Sequence, residues 1–181
     1  MNPAELLTII HRYYPQGISS FNEDYYASKE YRRLVELLSH KREGWTSVLQ
    51  QLSAAFHHEY VRDRTDNEPS NRCVLYIRKG EFLFETVMHV SMLVPALAFS
   101  VKKILVNDQE ISSKEIAVLT NEFFAEIHKE GGLLLKIIQS IFSYDMMPPS
   151  EFAIIIPDIS TKNKELGSAT VFDAIFADTI L

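Results

Sequence analysis

Apolar positions in the N-terminal third of the chain recur every three to four residues, the period of helices with one buried face. Asn2 and Pro3 open the first of these, over residues 4–14, with Leu6, Ile9, Ile10 and Tyr13 on one side. Pro15-Gln16-Gly17 ends it, and residues 18–24 read as a loop. Ser28-Lys29-Glu30-Tyr31 then caps a second helix, whose apolar stripe is Tyr31, Leu34, Val35 and Leu38 while Arg32, Arg33 and Glu36 face water. Gly44 closes that helix. Trp45, Val48, Leu49, Leu52 and Phe56 mark the buried face of a third, over residues 45–56.

Beyond Glu59 the period falls to two. A short strand over residues 60–65 and a return strand over 73–78 flank the turn formers Asp66-Asn67-Glu68-Pro69-Ser70-Asn71, which predicts a hairpin. Lys79-Gly80 turns the chain into a strand over 81–92, and Pro95 precedes a fourth over 96–106. Short links between four strands imply an antiparallel meander. Helical spacing returns at Ser112-Ser113-Lys114-Glu115, with Ile116, Leu119, Phe123, Phe124 and Ile127 marking a helix that Gly131-Gly132 is expected to stop. Another helix is expected over 133–142, an apolar strand over 152–156 between Pro149 and Pro157, and a terminal helix over 170–177. The expected fold is a single α+β domain over residues 1–181, an antiparallel four- to five-stranded meander covered by N-terminal and C-terminal helices.

With 46% hydrophobic and 23% charged residues, the chain lies far from the composition of disorder. Cys73 is the single cysteine, so no internal disulfide forms and a reducing, cytoplasmic setting is expected. The N-terminus lacks the basic start and continuous apolar core of a signal peptide. The most apolar stretch, residues 87–106, is broken by His89, Ser91, Pro95, Ser100, Lys102 and Lys103, which argues against a membrane span.

The net charge of −6 is unevenly placed. Residues 1–104 hold 13 Lys and Arg against 12 Asp and Glu, whereas residues 105–181 hold 5 against 12. Without a basic surface, nucleic acid and anionic membranes are not expected partners, and a basic protein is. Glu115, Glu122, Glu126 and Glu130 fall at helical spacing, and Asp145, Glu151, Asp158 and Asp173 extend the acidic set onto loops and element ends. These eight are the candidate partner-binding residues.

Candidate chemistry is sparse. His57-His58-Glu59 with Asp63 has metal-binding residue types, but adjacent side chains diverge in a helix or strand, so no metal is expected. Glu85, His89 and Ser91 share a strand face and suggest an acid-histidine-serine arrangement, the basis of an alternative small-hydrolase reading. Spacing opposes it, since neighbours two apart on one face stand nearly 7 Å from each other, beyond hydrogen-bond reach. No phosphate-binding loop, nucleophile elbow or dinucleotide fingerprint is present, and neither a cofactor nor enzymatic activity is expected. Cys73, in an apolar strand with Arg72 projecting to the other face, reads as an inert core thiol. Tyr13, Tyr14, Phe21, Tyr25, Tyr26 and Tyr31 divide evenly between packing and recognition, and leave an adaptor assembling through this region as a further alternative.

Two stretches together carry a resemblance. Tyr14-Pro15-Gln16-Gly17-Ile18 with Tyr26, Ser28, Glu30 and Arg33, and Ile155-Ile156-Pro157-Asp158-Ile159 leading to Thr170-Val171-Phe172-Asp173-Ala174-Ile175-Phe176, resemble bacterial immunity proteins that partner polymorphic toxins. The resemblance implies a cytoplasmic protein that binds a cognate toxin domain and neutralises it by occlusion, without chemistry of its own. The acidic residues would then meet a basic toxin.

Overall fold

The computed structural model describes residues 1–40, 43–57, 60–107, 110–112, 116–117 and 127–177. Four helices come first: α1 (Pro3–Ile10), α2 (Glu23–Ala27), α3 (Lys29–Leu38) and α4 (Trp45–Phe56). The expected caps are in place, since Asn2 Oδ1 accepts from Ala4 N at 3.0 Å and Ser28 Oγ from Tyr31 N at 3.1 Å. α2 lies partly within the segment expected to be a loop; Asn22 starts it by accepting from Asp24 N at 2.9 Å. Gly44, at φ +85°, admits no side chain, because a Cβ there would meet Ile141 Cγ2 at 2.9 Å.

The meander follows in the expected order, as β1 (Val61–Asp63), β2 (Ser70–Lys79), β3 (Phe82–Ser91) and β4 (Ala96–Asn107), each antiparallel to the next. Gly80 makes the β2–β3 turn at φ +59°. Three short strands line the far side of β4: β5 (Glu110–Ser112) and β6 (Ile116–Ala117) antiparallel, and β7 (Asp145–Met146) parallel to Ala96 and Leu97. The sheet is therefore mixed, though mostly antiparallel. The chain closes through α5 (His128–Phe142), α6 (Pro149–Phe152) and α7 (Val171–Ile175). Among the described residues no helix is long and apolar enough to cross a membrane.

Strand alternation divides the interior in two. Cys73, Leu75, Phe84, Met88, Leu97 and Phe99 face α4 and α5, where Trp45, Val48, Leu52, Leu134 and Ile138 are buried against them. Ala96 and Ala98 face the other way, toward α1, α3 and the C-terminal segment with Phe152, Ile156, Phe172 and Phe176. The N- and C-terminal parts thus share one core on the second face.

Three expectations are corrected. Ile116, expected on the buried face of a helix, and Ala117 after it instead pair with Lys102 and Val101 as β6; Ser113, Leu119, Phe123 and Phe124 lie outside the described residues. Gly131 and Gly132 are no stop: α5 runs through both, and burial of Leu134 and Ile138 outweighs the roughly 1 kcal/mol that each glycine costs relative to alanine. Residues 152–156 are no covered strand. Phe152 ends α6, Ile155 makes a single bridge among the described residues, to Thr170, and Ile154 and Ile155 are 46% and 57% exposed. Pro149, at the first turn of α6, sets that course, because its missing N–H costs nothing there.

Candidate functional site

The five described carboxylates of the candidate partner-binding set are spread over α5, β7, α6, the loop after Ile156 and α7, and most have work inside the fold. Glu130 accepts from Lys79 Nζ at 3.0 Å, tying α5 to β2. Burial works to raise its pKa, but the hydrogen bond and charge of Lys79 prevail and hold it below the usual range. Asp158 accepts from Gln16 Nε2 at 2.8 Å and pairs with His11 Nε2 at 3.1 Å. There too burial is outweighed, and the Gln16 and His11 contacts depress the carboxyl pKa. Asp145 is exposed and Glu151 half-buried. Glu115, Glu122 and Glu126 lie outside the described residues.

Asp173 is a correction: at 4% exposure it presents no carboxylate to a partner. It accepts from Thr170 N at 2.8 Å and from Thr170 Oγ1 at 2.7 Å, while Thr170 Oγ1 accepts from Asp173 N at 3.2 Å, closing a capping box at the start of α7. Asp173→Ala is expected to destabilise the protein by about 1–2 kcal/mol. Asp145→Ala should stay within about 0.5 kcal/mol of the parent, both variants being measured by equilibrium urea unfolding. Equal effects would refute this division of roles.

Glu85 and His89 share a face, as expected, but stand roughly 13 Å apart along β3. Glu85 sits across from Tyr76 and Lys102. The hydroxyl at His89 comes instead from Ser70, with Ser70 Oγ 3.2 Å from Nδ1. Ser70 Oγ donates to Phe176 O at 2.7 Å, so its oxygen accepts from His89 Nδ1–H. Phe172 and Phe176 pack edge-to-face against the imidazole, with centroids at 5.5 and 6.1 Å. Burial foremost, then the charge of Arg72, pulls the His89 pKa down to about 3. The histidine is neutral at pH 7 and serves as a strut between β2, β3 and the C-terminal segment. Ser91 Oγ is engaged elsewhere, accepting from Leu93 N and Val94 N.

Cys73 is 1% exposed, and burial, with the neighbouring charge of Asp63, pushes its thiol up to about 12. His58 and Glu59 are outside the described residues, and Asp63 accepts from Trp45 Nε1 at 3.3 Å. Among the described residues no group of three His, Cys, Asp or Glu side chains is arranged to hold a metal ion.

The N- and C-terminal parts meet in a seam built from stretches that carry the resemblance together with the flanking residues Ser20, Tyr25 and Ser160. Gly17 N donates to Asp158 O at 2.7 Å, Tyr14 OH to Ala174 O at 2.9 Å, and Ser20 N to Ser160 Oγ at 2.7 Å. Tyr25 OH donates to Ser160 O at 3.0 Å. The tyrosines therefore divide. Tyr14 and Tyr25 are core, at 3% and 1% exposure, while Tyr26 is 47% exposed and its neighbour Phe21 79%. Tyr25, Tyr26 and Tyr31 pack with centroids 5.0–5.3 Å apart. Beside them runs a groove of about 320 Å³ along α3, walled by Tyr31, Val35 and Leu38 and by Pro69 across from them. Compared with known protein families, curated proteins and solved structures, the chain matches none.

Proposed function

We propose that the chain is a cytoplasmic immunity protein, which binds a basic toxin domain and neutralises it by covering a surface the toxin needs. The observation that carries the reading is the seam. The residues of the resemblance lie at opposite ends of the sequence, yet Gln16, Gly17, Asp158 and Ala174 belong to one set of hydrogen bonds. Two short motifs thereby become one tertiary feature, a stronger basis for kinship than either alone. The surplus of 12 acidic over 5 basic residues after position 104 supports a basic partner, since a negative surface steers a positive one into encounter.

The test is co-expression with a toxin domain encoded beside the gene, read by growth and by co-purification. Rescue together with a stable complex supports the reading; toxicity undiminished by the chain overturns it. Asp145 and Glu151 are the described members of the acidic set with no carboxylate bond assigned within the fold. Their joint reversal to lysine is expected to weaken the complex by about three- to tenfold at low salt and to flatten its salt dependence. Unchanged affinity would move the interface away from this pair.

A further inference from the structure

We infer that Gln16 is a proton-sensitive latch on the seam: its side-chain amide bridges His11 and Asp158 while the His11 ring is neutral, and releases Asp158 when the ring is charged. The two hydrogens of Gln16 Nε2 have two acceptors, Asp158 Oδ2 at 2.8 Å and His11 Nδ1 at 3.2 Å. Nδ1 accepts only if it carries no hydrogen, which places the ring hydrogen on Nε2, donating to Asp158 Oδ1 at 3.1 Å. One proton arrangement thus satisfies all three side chains. The backbone is held on both sides of Gln16, since Tyr14 N donates to Ile10 O at 3.0 Å, Tyr14 OH to Ala174 O at 2.9 Å and Gly17 N to Asp158 O at 2.7 Å. The response to a further proton therefore falls on the side chains.

That proton goes to Nδ1 and sets N–H against N–H. Turning the amide to offer Oε1 answers the ring but brings a carbonyl oxygen against the carboxylate, because one amide atom touches both partners in this geometry. No orientation of the amide satisfies the charged ring and Asp158 together. Burial works to raise the Asp158 pKa, but its contacts with Gln16 and His11 hold it below the usual carboxylate range. The carboxylate is thus still ionised when the ring charges, and the His11–Asp158 pair gains the attraction of opposite charges. As pH falls, the pair tightens while Gln16 lets go of Asp158 Oδ2 and turns toward water. Among the described residues Asp158 is the charged group in contact with the ring; Arg12 and Glu165 are exposed, and Lys164 lies 3.9 Å from Asp173.

The experiment is a nuclear magnetic resonance titration of the intact, isotope-labelled protein from about pH 8 to about pH 5, following the His11 ring nitrogens and the Gln16 side-chain amide. None of these signals involves a partner, so the immunity reading is left to its own test. At the upper end the ring should carry its hydrogen on Nε2, and the Gln16 amide signals should then shift with the same midpoint as the ring. Gln16→Met removes the donor that favours the neutral ring. His11 in that variant should take up its second proton at a pH higher by about 0.3–1 unit than in the parent. Gln16 is exposed, so the variant should keep the parent's melting temperature, and the parent's own titration decides the matter if it does not. A neutral ring with its hydrogen on Nδ1, Gln16 signals indifferent to the ring's titration, or a Gln16→Met midpoint at or below the parent's overturns the inference.

Discussion

Truncating Phe176 to alanine is expected to cost about 3–5 kcal/mol of stability, as large-to-small changes at fully buried aromatic positions do. The side chain is 0% exposed and packs on Phe172 at 5.4 Å, Phe152 at 5.9 Å and His89 at 6.1 Å between centroids. Its carbonyl also receives the Ser70 hydroxyl. Residues so near a chain end are ordinarily dispensable, because termini fray and contribute few contacts. Here residues 169–177 are the inner wall of the core on the second sheet face, so the loss should be global and cooperative. Equilibrium urea unfolding of Phe176→Ala and Phe176→Leu would measure it, with leucine recovering much of the deficit. A loss under about 1 kcal/mol for alanine would show that the terminal segment is peripheral.

The parts of this fold that were legible in the sequence are those whose signals are local. The pair Lys79-Gly80 marks a turn whatever lies elsewhere, and the turn formers at 66–69 separate β1 from β2, although Ser70 and Asn71, which read as part of the same loop, already belong to β2. Asn2, Ser28 and Thr170 cap helices through their own neighbours, at two to three residues' distance. What misled were segments decided by remote partners. Five apolar residues at 152–156 fit a covered strand, but nothing in them reveals that their pairing among the described residues narrows to one bridge, from Ile155 to Thr170. Gly131 and Gly132 carry a strong local preference for ending a helix, and packing of α5 against α4 and the sheet overrides it.

The same distinction explains the candidate site. Reading along β3 offers His89 the companions Glu85 and Ser91, yet residues along a strand are farther apart than residues across strands. Its hydroxyl neighbour, Ser70, is a diagonal one on β2, in a segment that reads as a loop. The acidic set misleads differently. Charge placed along a sequence says nothing of whether a carboxylate is already satisfied, and Asp173, Asp158 and Glu130 have partners contributed by the fold. The tyrosines resisted assignment because α2 has only five residues, too few for periodicity to tell Tyr25, which is buried, from Tyr26, which is not.

Acid should destabilise the protein through His89 well before its carboxylates are protonated. The imidazole titrates near 6.5 when solvated and near 3 in the fold, where burial and Arg72 oppose the charged form. Above pH 6.5 it is neutral in both states and its contribution to stability is fully present. As pH falls below that value the unfolded chain takes up a proton that the folded one refuses, so stability declines progressively toward pH 3. The loss is about 1.4 kcal/mol per pH unit and on the order of 4–5 kcal/mol across the window. Arg72 sharpens the effect because its guanidinium is itself buried, bonded to Arg64 O and Asp66 Oδ2 at 3.0 Å each, and unable to move away. His89→Gln cannot titrate. It should be less stable than the parent at pH 7, because it loses ring packing between Phe172 and Phe176, but its stability should fall less steeply between pH 6.5 and 4. The two curves should therefore converge as pH drops, with every other histidine common to both and cancelling in the difference. Parallel curves would mean that the folded imidazole takes up its proton at least as readily as a solvated one, and the strut formed by Ser70, His89 and the Phe176 carbonyl would have to accommodate the charged ring as acid is added.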